Sequence, residues 1–208
     1  MHRAIIFDYD DTLVQTRKCR FKAIKHLALA DYGVALTDET IEKHWGKEIS
    51  EFFRCLLPEQ SDNVQKVLQR YHALNPAFPM EPFPESLAVV EALAKQYFLG
   101  IVTAASRDLV MDQLRSMEFP LDAMRYLQFA DDSQHHKPDP RVFDNLRPAL
   151  AAAGIEACDV MYVGDGVHDY RAAADAGFQF VGIARDVKSQ HRFSELNVPF
   201  VTDLGQLN

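Results

Sequence analysis

The sequence lacks the features of several large protein classes. Its three cysteines, Cys19, Cys55 and Cys158, are odd in number and form no CxxC pair, which argues against a disulfide framework and a zinc site. The net charge of −8 leaves no basic excess of the kind that non-specific nucleic-acid binding requires. The opening apolar run is too short for a signal peptide, and no other run could span a membrane. We therefore expect a cytoplasmic protein that binds neither nucleic acid nor membranes.

What is present fits a globular chain with one insert. The 208 residues are 48% hydrophobic and 25% charged, which is ordinary for a soluble domain. Four prolines lie between positions 76 and 84, where they favour a linker or a domain boundary. Upstream of them, apolar residues at helical spacing predict four helices. We therefore predict a core formed by residues 1–16 and 80–208, and a helical insert, or cap, at 17–79.

Beyond residue 84 the pattern alternates between helices and short apolar strands. Such alternation predicts a parallel sheet covered on both faces. The expected fold class is α/β, a doubly wound and mainly parallel sheet with a Rossmann-like core and an inserted four-helix cap. We expect a helix from 170 to 176 and a kink or break at Pro148. The predicted strands are 4–7, 98–103, 126–129, 160–163 and 178–184, with a short one at 200–201.

Three carboxylates follow the first predicted strand. Ala4–Phe7 is a buried apolar run that leads directly into Asp8, Asp10 and Asp11. Residues i and i+2 of an extended chain project to the same side, so Asp8 and Asp10 should point into one space. Two carboxylates that close repel each other unless one is protonated or a cation lies between them. The arrangement indicates a reactive centre.

The other strand ends supply matching groups. In open parallel sheets, ligands bind outside the carboxyl ends of the strands. Thr103 ends the second strand, Lys137 follows the third, and Asp165 and Asp169 follow the fourth. Oxygen ligands of this number favour a hard cation, most simply Mg²⁺. A lysine and a hydroxyl beside such a cation suit a phosphoryl group, whose charge they neutralise.

Four ordered motifs carry a family resemblance. They are Asp8-x-Asp10-x-Thr12, Thr103, Lys137-Pro138 and Gly164-Asp165-x-x-x-Asp169. Together they resemble the motifs of the haloacid dehalogenase-like hydrolase superfamily, and the match spans nearly the whole chain. The helical insert resembles the cap of the subgroup that contains phosphoglycolate phosphatase and β-phosphoglucomutase.

The resemblance implies a role for each motif residue. Asp8 would be the nucleophile that forms an aspartyl phosphate, and Asp10 the general acid and base. Thr103, Lys137 and the backbone N–H of Ala104 would hold the phosphoryl oxygens. Mg²⁺ would be bound by Asp8, the carbonyl of Asp10, Asp165 and Asp169, the last directly or through an intermediate group. Asp169 could instead cap the following helix, or do both.

Three positions depart from the family pattern. Asp11 stands where the family has glycine; aspartate tolerates positive φ better than most residues, so we expect the turn to survive. Ala104 stands where an asparagine or glycine is common, which leaves only a backbone donor. Glu85 stands where glycine is common, and we interpret it as a variation at a helix start. Asp10 itself favours phosphate-ester chemistry, since dehalogenases of the family lack this aspartate.

Two further groups of polar residues have competing interpretations. Arg17 and Arg20 lie on a locally basic helix that is either a solvated face or a binding site for a second anionic group of the substrate. Trp45, Gly46 and Lys47 form a loop that could contact the leaving group. The polar run 131–136, which includes two histidines, is a solvated loop rather than a metal site.

Three functions remain open at this point. The first is a Mg²⁺-dependent phosphatase that acts on a small phosphorylated metabolite. The second is a phosphomutase of the β-phosphoglucomutase type, which would return the phosphoryl group to a sugar while excluding water. The third is a non-catalytic binding protein on the same fold, whose signature would be the loss of Asp8, Asp10 or Lys137. The sequence indicates neither the substrate nor the oligomeric state.

Overall fold

The protein is described here by a computed structural model that covers residues 2–207. The chain divides into two compact units, one formed by Met1–Gln15 with Glu81–Asn208 and the other by Thr16–Met80. The first unit contains the sheet and the second contains four α-helices. Within residues 2–207, no helix has the combined length and apolar character that crossing a membrane requires.

The first unit is built on a six-stranded parallel sheet. The strands run in the order β3-β2-β1-β4-β5-β6, so the order reverses at β1. β1 therefore lies beside the topological switch point, where ligands bind in open α/β sheets. The strands are β1 (Ala4–Phe7), β2 (Phe98–Val102), β3 (Tyr126–Gln128), β4 (Val160–Gly164), β5 (Gln179–Ile183) and β6 (Phe200–Val201).

The central strands are fully apolar because both of their faces are covered. All four residues of β1 are 0% exposed, as expected of a strand inside a parallel sheet. Ala4 and Ile6 join a core cluster on one face with Val160 and Tyr162 of β4. Register holds to the end of the strand, where the N–H of Asp8 donates to the carbonyl of Val163 at 2.8 Å. The strand pairing thus carries Asp8 to the carboxyl edge of the sheet.

Five α-helices belong to the first unit. Crossovers between parallel strands are right-handed. The connections that build the sheet on one side of β1 therefore cover one face, and those that build it on the other side cover the opposite face. The helices are α5 (Ser86–Leu93), α6 (Arg107–Ser116), α7 (Arg147–Ala152), α8 (Val167–Asp175) and α9 (Val187–Glu195). The predicted α/β class, with its parallel sheet and inserted helices, is confirmed.

Two details of the helix prediction were wrong, and one was confirmed. The helix after β4 begins at Val167, not at residue 170, because the Asp169 side chain accepts the N–H of Gly166 at 3.0 Å and caps it. The expected break at Pro148 is confirmed: a short 3₁₀-helix ends at Phe143, and a separate helix, α7, begins at Arg147 with Pro148 in its first turn, where the missing N–H costs nothing. α9 was not predicted at all.

The second unit comprises four α-helices around its own core. They are α1 (Thr16–Tyr32), α2 (Asp38–Glu42), α3 (Ile49–Leu56) and α4 (Val64–Ala73). Its buried cluster includes Ile24, Phe53 and Tyr71. α1 and α4 are also joined at the surface, where Arg70 donates to both carboxylate oxygens of Asp31. The packing of apolar stripes, not local propensity, holds these short helices.

Candidate active site

The sheet places the motif residues of the first unit at one edge. Asp8 follows β1, Thr103 follows β2, Asp165 follows β4, and Asp169 lies in the first turn of α8. Lys137 comes from the segment between β3 and α7 and is followed by a cis peptide bond to Pro138. The strand order therefore brings these side chains together at the carboxyl edge of the sheet, as predicted.

The ammonium group of Lys137 is the centre of the cluster. Its Nζ lies 2.5 Å from Asp8 Oδ1 and 2.7 Å from Asp169 Oδ1. All three side chains are buried, each with less than a tenth of its surface exposed. Nζ also donates to the hydroxyl of Tyr162 at 3.0 Å. Burial lowers the pKa of Lys137, but the charges of Asp169 and Asp8 outweigh it and hold that pKa well above its usual value.

Two carboxylates contact this ammonium group, and a third, that of Asp165, lies close to both of them. Burial raises the pKa of Asp8 well above its usual value; Lys137 opposes the rise, while Asp169, Asp10 and Asp165 add to it. Oxygen atoms of Asp8, Asp165 and Asp169 all lie within 4.8 Å of one another. Among residues 2–207 this is the one group of acidic, histidine or cysteine side chains that could hold a metal ion. The Asp10 carboxylate lies outside this group, and its predicted ligand atom is the main-chain carbonyl.

The donor set fits a magnesium ion. It offers oxygen atoms only, which hard cations prefer, and its three carboxylates carry more negative charge than one ammonium group can neutralise. The backbone supports the arrangement, since Arg192 Nη2 donates to the Asp165 carbonyl at 3.3 Å. Asp169 is fixed by two contacts, because one oxygen faces Lys137 and the other accepts the N–H of Gly166. Of its two predicted roles, helix capping is therefore observed.

The loop after β1 is tight and internally bonded. The N–H groups of Leu13 and Val14 both donate to the Tyr9 carbonyl, at 3.0 and 3.2 Å. Asp11 has a φ of 52°, the left-handed conformation that glycine would otherwise supply. The expectation that aspartate would preserve this turn is confirmed. The turn holds Asp8 and Asp10 at its start.

A partly buried arginine, Arg185, attaches this loop to the rest of the unit. Arg185 Nη2 donates to the Thr12 carbonyl at 3.2 Å and lies 2.7 Å from Glu85 Oε1. Its guanidinium carbon lies 3.4 Å from the centroid of the Phe83 ring, a favourable cation–π stack. The α5 N-cap residue Glu85, interpreted above as a helix-start variation, therefore also forms an ion pair with Arg185.

The segment after β2, which is predicted to bind the phosphoryl group, begins with the hydroxyl of Thr103. Thr103 is 3% exposed, and its Oγ1 accepts the N–H of Ala105 at 3.1 Å. Ala104 is exposed and, as expected, has no side-chain donor. The N–H of Thr103 pairs with the Gln128 carbonyl of β3 at 3.0 Å, which fixes the segment on the sheet.

The predicted cap residues all belong to the second unit. Arg17 lies 3.6 Å from Glu42 Oε1 in an ion pair, with about a third of each side chain exposed. Arg20 Nη1 donates to the Tyr71 hydroxyl at 2.9 Å. These contacts give both arginines a structural role inside the helical unit, and substrate contact remains a prediction for them.

The loop after α2 is held in the same way. Trp45 packs edge-on against Phe21, with ring centroids 5.1 Å apart. Gly46 has a φ of 89°, and Lys47 forms an ion pair with Glu51 one turn along α3. Trp45 therefore contributes to the core of the second unit, and substrate contact by Gly46 and Lys47 stays a prediction.

The polar loop 131–136 serves the fold. Asp132 accepts the N–H of Phe129 at 2.9 Å and forms a two-oxygen ion pair with Arg107. Asp131 accepts the N–H of Arg107 at 2.8 Å. His135 lies 3.6 Å from Asp139. Neither histidine belongs to the group that could hold a metal.

Two residues of the site were missed from the sequence. In the sequence, Tyr162 looks like any aromatic residue of a buried strand. Only the contacts of its hydroxyl with Lys137 and the Val102 carbonyl show that it belongs to the site. Arg185 follows β5 without any motif around it. The strand-end rule could have identified Arg185, since it lies at a carboxyl end like the motif residues.

Comparison with known proteins identifies the family of the chain. The family model for haloacid dehalogenase-like hydrolases matches residues 5–183. Pyrophosphatase PpaX of Anoxybacillus flavithermus is 26% identical over 204 residues, which cover 96% of this chain and 91% of that protein. Phosphoglycolate phosphatase of Yersinia pseudotuberculosis is 27% identical over 191 residues, covering 87% and 80%.

Solved structures share the architecture. The crystal structure of a β-phosphoglucomutase-like protein from Thermotoga maritima superposes with a TM-score of 0.77, at 20% identity, over 97% of this chain and 94% of that one. At that identity the similarity shows the fold alone. The family predicted from the four motifs is confirmed, and the sequence relatives are phosphatases. The chain belongs to the haloacid dehalogenase-like hydrolase family.

Proposed function

We propose that this protein is a Mg²⁺-dependent phosphatase that hydrolyses a small phosphorylated metabolite through an aspartyl-phosphate intermediate. The observation that carries the proposal is the buried cluster in which Lys137 contacts Asp8 and Asp169, with Asp165 beside them. A fold gains little from placing three carboxylates around one ammonium group, because burying unbalanced charge is costly. Phosphoryl transfer, by contrast, requires such electrostatic preorganisation.

Asp8 is assigned as the nucleophile. A carboxylate oxygen of Asp8 forms a bond to phosphorus as the bond from phosphorus to the leaving oxygen breaks. Asp10 gives its proton to that leaving oxygen, and then accepts a proton from a water molecule. The water oxygen attacks the phosphorus of the aspartyl phosphate, which releases inorganic phosphate and restores the Asp8 carboxylate.

The remaining residues bind charge. Lys137 and the hydroxyl of Thr103 hold phosphoryl oxygens, and the backbone N–H of Ala104 supplies the donor that its side chain lacks. Asp8, Asp165, Asp169 and the Asp10 carbonyl would hold Mg²⁺, which would reduce the repulsion between the Asp8 carboxylate and the anionic phosphoryl group. The metal would also favour the ionised form of Asp8 that attack requires, against the effect of burial.

The phosphomutase alternative is not favoured. The relatives reported above by sequence are phosphatases, whereas the mutase-like structure shares only the fold. A non-catalytic role would leave the retention of Asp8, Asp10, Lys137 and Asp165 unexplained. Of the three hypotheses, hydrolysis therefore has the most support.

The same relatives support a proposal for the substrate class. One is named for pyrophosphate, an anhydride, and another for phosphoglycolate, an ester. Both are small, multiply charged phosphorylated molecules. We propose a substrate of that size and charge, encountered in the cytoplasm, where the three free cysteines would stay reduced.

The second unit is proposed to be the cap that selects the leaving group. Of the five predicted contact residues, Arg20 and Trp45 contact the core of that unit, and Arg17 and Lys47 form ion pairs with exposed or partly exposed carboxylates. Variants of Arg17 and Lys47 should change KM more than kcat if they bind the remote part of the substrate.

A phosphate-release assay tests the proposal. Purified protein is incubated with Mg²⁺ and a panel that includes pyrophosphate, phosphoglycolate, sugar phosphates and p-nitrophenyl phosphate, and inorganic phosphate is measured. Asp8→Asn should lower kcat by about 10³-fold or more, and Asp10→Asn by about 10²- to 10⁴-fold. Chelation of the metal should abolish turnover, and Mg²⁺ should restore it.

Two results would contradict the proposal. Absence of phosphate release across the panel would favour a binding protein. Efficient interconversion of sugar phosphates with little phosphate release would establish the mutase. Asp175→Asn, an exposed carboxylate at the end of α8, is the matched control and should retain full activity.

A further inference from the structure

Tyr162 is a buried tyrosine in the middle of β4. It is 0% exposed, and its ring packs against Phe143 and Phe180, with centroids 5.1 and 6.4 Å away. Phenylalanine would fill this space equally well. A hydroxyl in an apolar core must be hydrogen-bonded to be tolerated, so the contacts of this oxygen explain why tyrosine fits here.

The hydroxyl joins two parts of the site. It donates to the Val102 carbonyl at 3.0 Å and accepts from Lys137 Nζ at 3.0 Å. Burial holds the pKa of Tyr162 well above its usual value, so the oxygen keeps its proton and remains a donor to Val102. Val102 directly precedes Thr103. The tyrosine hydroxyl therefore links the Lys137 ammonium group to the main chain at the end of β2.

The contact between Tyr162 and Lys137 restrains the position of the ammonium group. Its Nζ donates hydrogen bonds to Asp8 Oδ1 at 2.5 Å, to the Tyr162 hydroxyl at 3.0 Å and to the Val102 carbonyl at 3.4 Å. Asp169 Oδ1 lies 2.7 Å from Nζ in an ion pair. Of the two hydrogen bonds to uncharged acceptors, the one to Tyr162 is the shorter, so it restrains the position of Nζ more strongly than the Val102 carbonyl does.

We propose that Tyr162 is a positioning residue that fixes the ammonium group of Lys137 relative to Asp8 and to the end of β2. The catalytic part of this inference rests on the proposed function, in which Lys137 binds the phosphoryl group during its transfer. Displacement of Nζ weakens its contact with charge that develops in the transition state more than its contact with bound substrate. The effect should therefore appear in kcat.

The first test is Tyr162→Phe, assayed with p-nitrophenyl phosphate and Mg²⁺. We expect kcat to fall about tenfold with KM nearly unchanged. Tyr126→Phe is the matched control, since it removes a tyrosine hydroxyl that donates to Gln128 Oε1 at 2.8 Å, away from Lys137. That control should retain the wild-type kcat. A merely structural role for Tyr162 would lower thermal stability and leave kcat unchanged.

A double-mutant cycle with Lys137→Met shows whether Tyr162 acts through the lysine. Tyr162→Phe should have no further effect on kcat in the Lys137→Met background, and the two changes in the free energy of unfolding should be non-additive. Should Lys137→Met fail to fold, the crystal structure of Tyr162→Phe supplies the second measurement. Nζ should then lie closer to the Val102 carbonyl than its present 3.4 Å.

The outcomes separate this inference from the proposed function. A wild-type kcat in Tyr162→Phe, additive effects in the cycle, or an unmoved Nζ would overturn the positioning role. A wild-type protein without phosphatase activity would overturn the proposed function. In that case, coupling in unfolding free energy or a shifted Nζ would still support the positioning of Lys137.

Discussion

Gly164 leaves the room that Asp169 needs. A Cβ built on Gly164 would lie 2.6 Å from Cγ and 2.7 Å from Cβ of Asp169, closer than atoms can approach without displacement. Gly164→Ala should therefore displace the Asp169 carboxylate and lower kcat/KM by about tenfold or more. The measurement is steady-state kinetics over a range of Mg²⁺ concentrations.

Gly166 provides the graded control for that substitution. A Cβ there would lie 3.0 Å from Asp169 Oδ2, a tight contact that a small rotation of the carboxylate relieves. Gly166→Ala should lose less activity than Gly164→Ala. The reverse order, or a fully active Gly164→Ala, would show that the site does not depend on Asp169.

The protonated form of Tyr126 stabilises the fold, and this contribution is lost at alkaline pH. Burial raises its pKa to about 12, whereas a tyrosine in the unfolded chain titrates near ~10. The unfolded chain thus loses this proton first. The contribution of Tyr126 to stability is complete below the unfolded pKa and is lost as pH rises toward the folded pKa.

The comparison of wild type with Tyr126→Phe isolates this titration. The free energy of unfolding, measured with urea between about pH 9 and about pH 12, should fall more steeply in the wild type than in the variant. Other tyrosines titrate equally in both proteins and cancel. Parallel pH profiles would contradict the raised pKa.

Among the elements, α5 holds the loop that carries Asp8 and Asp10. Ser86, the first residue of α5, is 0% exposed, and its hydroxyl donates to the Leu13 carbonyl at 2.8 Å. The same carbonyl accepts the N–H of Phe83 at 3.1 Å. The start of one helix therefore fixes the end of the turn after β1.

Ser86→Ala should destabilise the protein by about 1–2 kcal/mol, because a buried hydrogen bond is lost and its acceptor keeps only one partner. Chemical denaturation measures the change. Ser116→Ala removes an exposed hydroxyl that donates to the Gln113 carbonyl at 2.8 Å and should change stability by less than about 0.5 kcal/mol. Equal effects of the two variants would show that burial at Ser86 is unimportant.

At the scale of the whole molecule, metal binding should be coupled to folding. The three carboxylates of Asp8, Asp165 and Asp169 converge only in the folded chain, so Mg²⁺ should bind the folded state preferentially. Such a ligand stabilises by about 2.7 kcal/mol at 100 times its dissociation constant. Mg²⁺ should therefore raise the unfolding temperature of the wild type.

Asp165→Asn tests this coupling without any activity measurement. The rise in unfolding temperature with Mg²⁺ should shrink in Asp165→Asn and persist in Asp175→Asn. A rise of equal size in all three proteins would place the bound cation elsewhere on the acidic surface.

Local patterns predicted most of the fold because each element carries its own signal. The apolar run of β1, the prolines near residue 80 and the motif residues at successive strand ends were sufficient for the fold class and the position of the site. α9 was missed because Phe193 is its one buried apolar side chain, so the helical period is faint. Its real determinants are the Asp186 cap and the pocket that receives Phe193.

The sequence by itself determined the family, the parallel sheet and the edge at which Asp8, Thr103, Lys137 and Asp165 meet. The sheet follows from the alternation of helical and strand patterns, and the edge follows from the rule that ligands bind at the carboxyl ends of parallel strands. The family follows from the resemblance of the four ordered motifs. Only the tertiary structure decided which acceptors surround Lys137, that Asp169 also caps α8, and that Glu85 pairs with Arg185. Such contacts join residues that are far apart in the chain. Whether the Lys137 ammonium group donates its hydrogen bond to a tyrosine hydroxyl or to a backbone carbonyl depends on distances that only the packed structure sets.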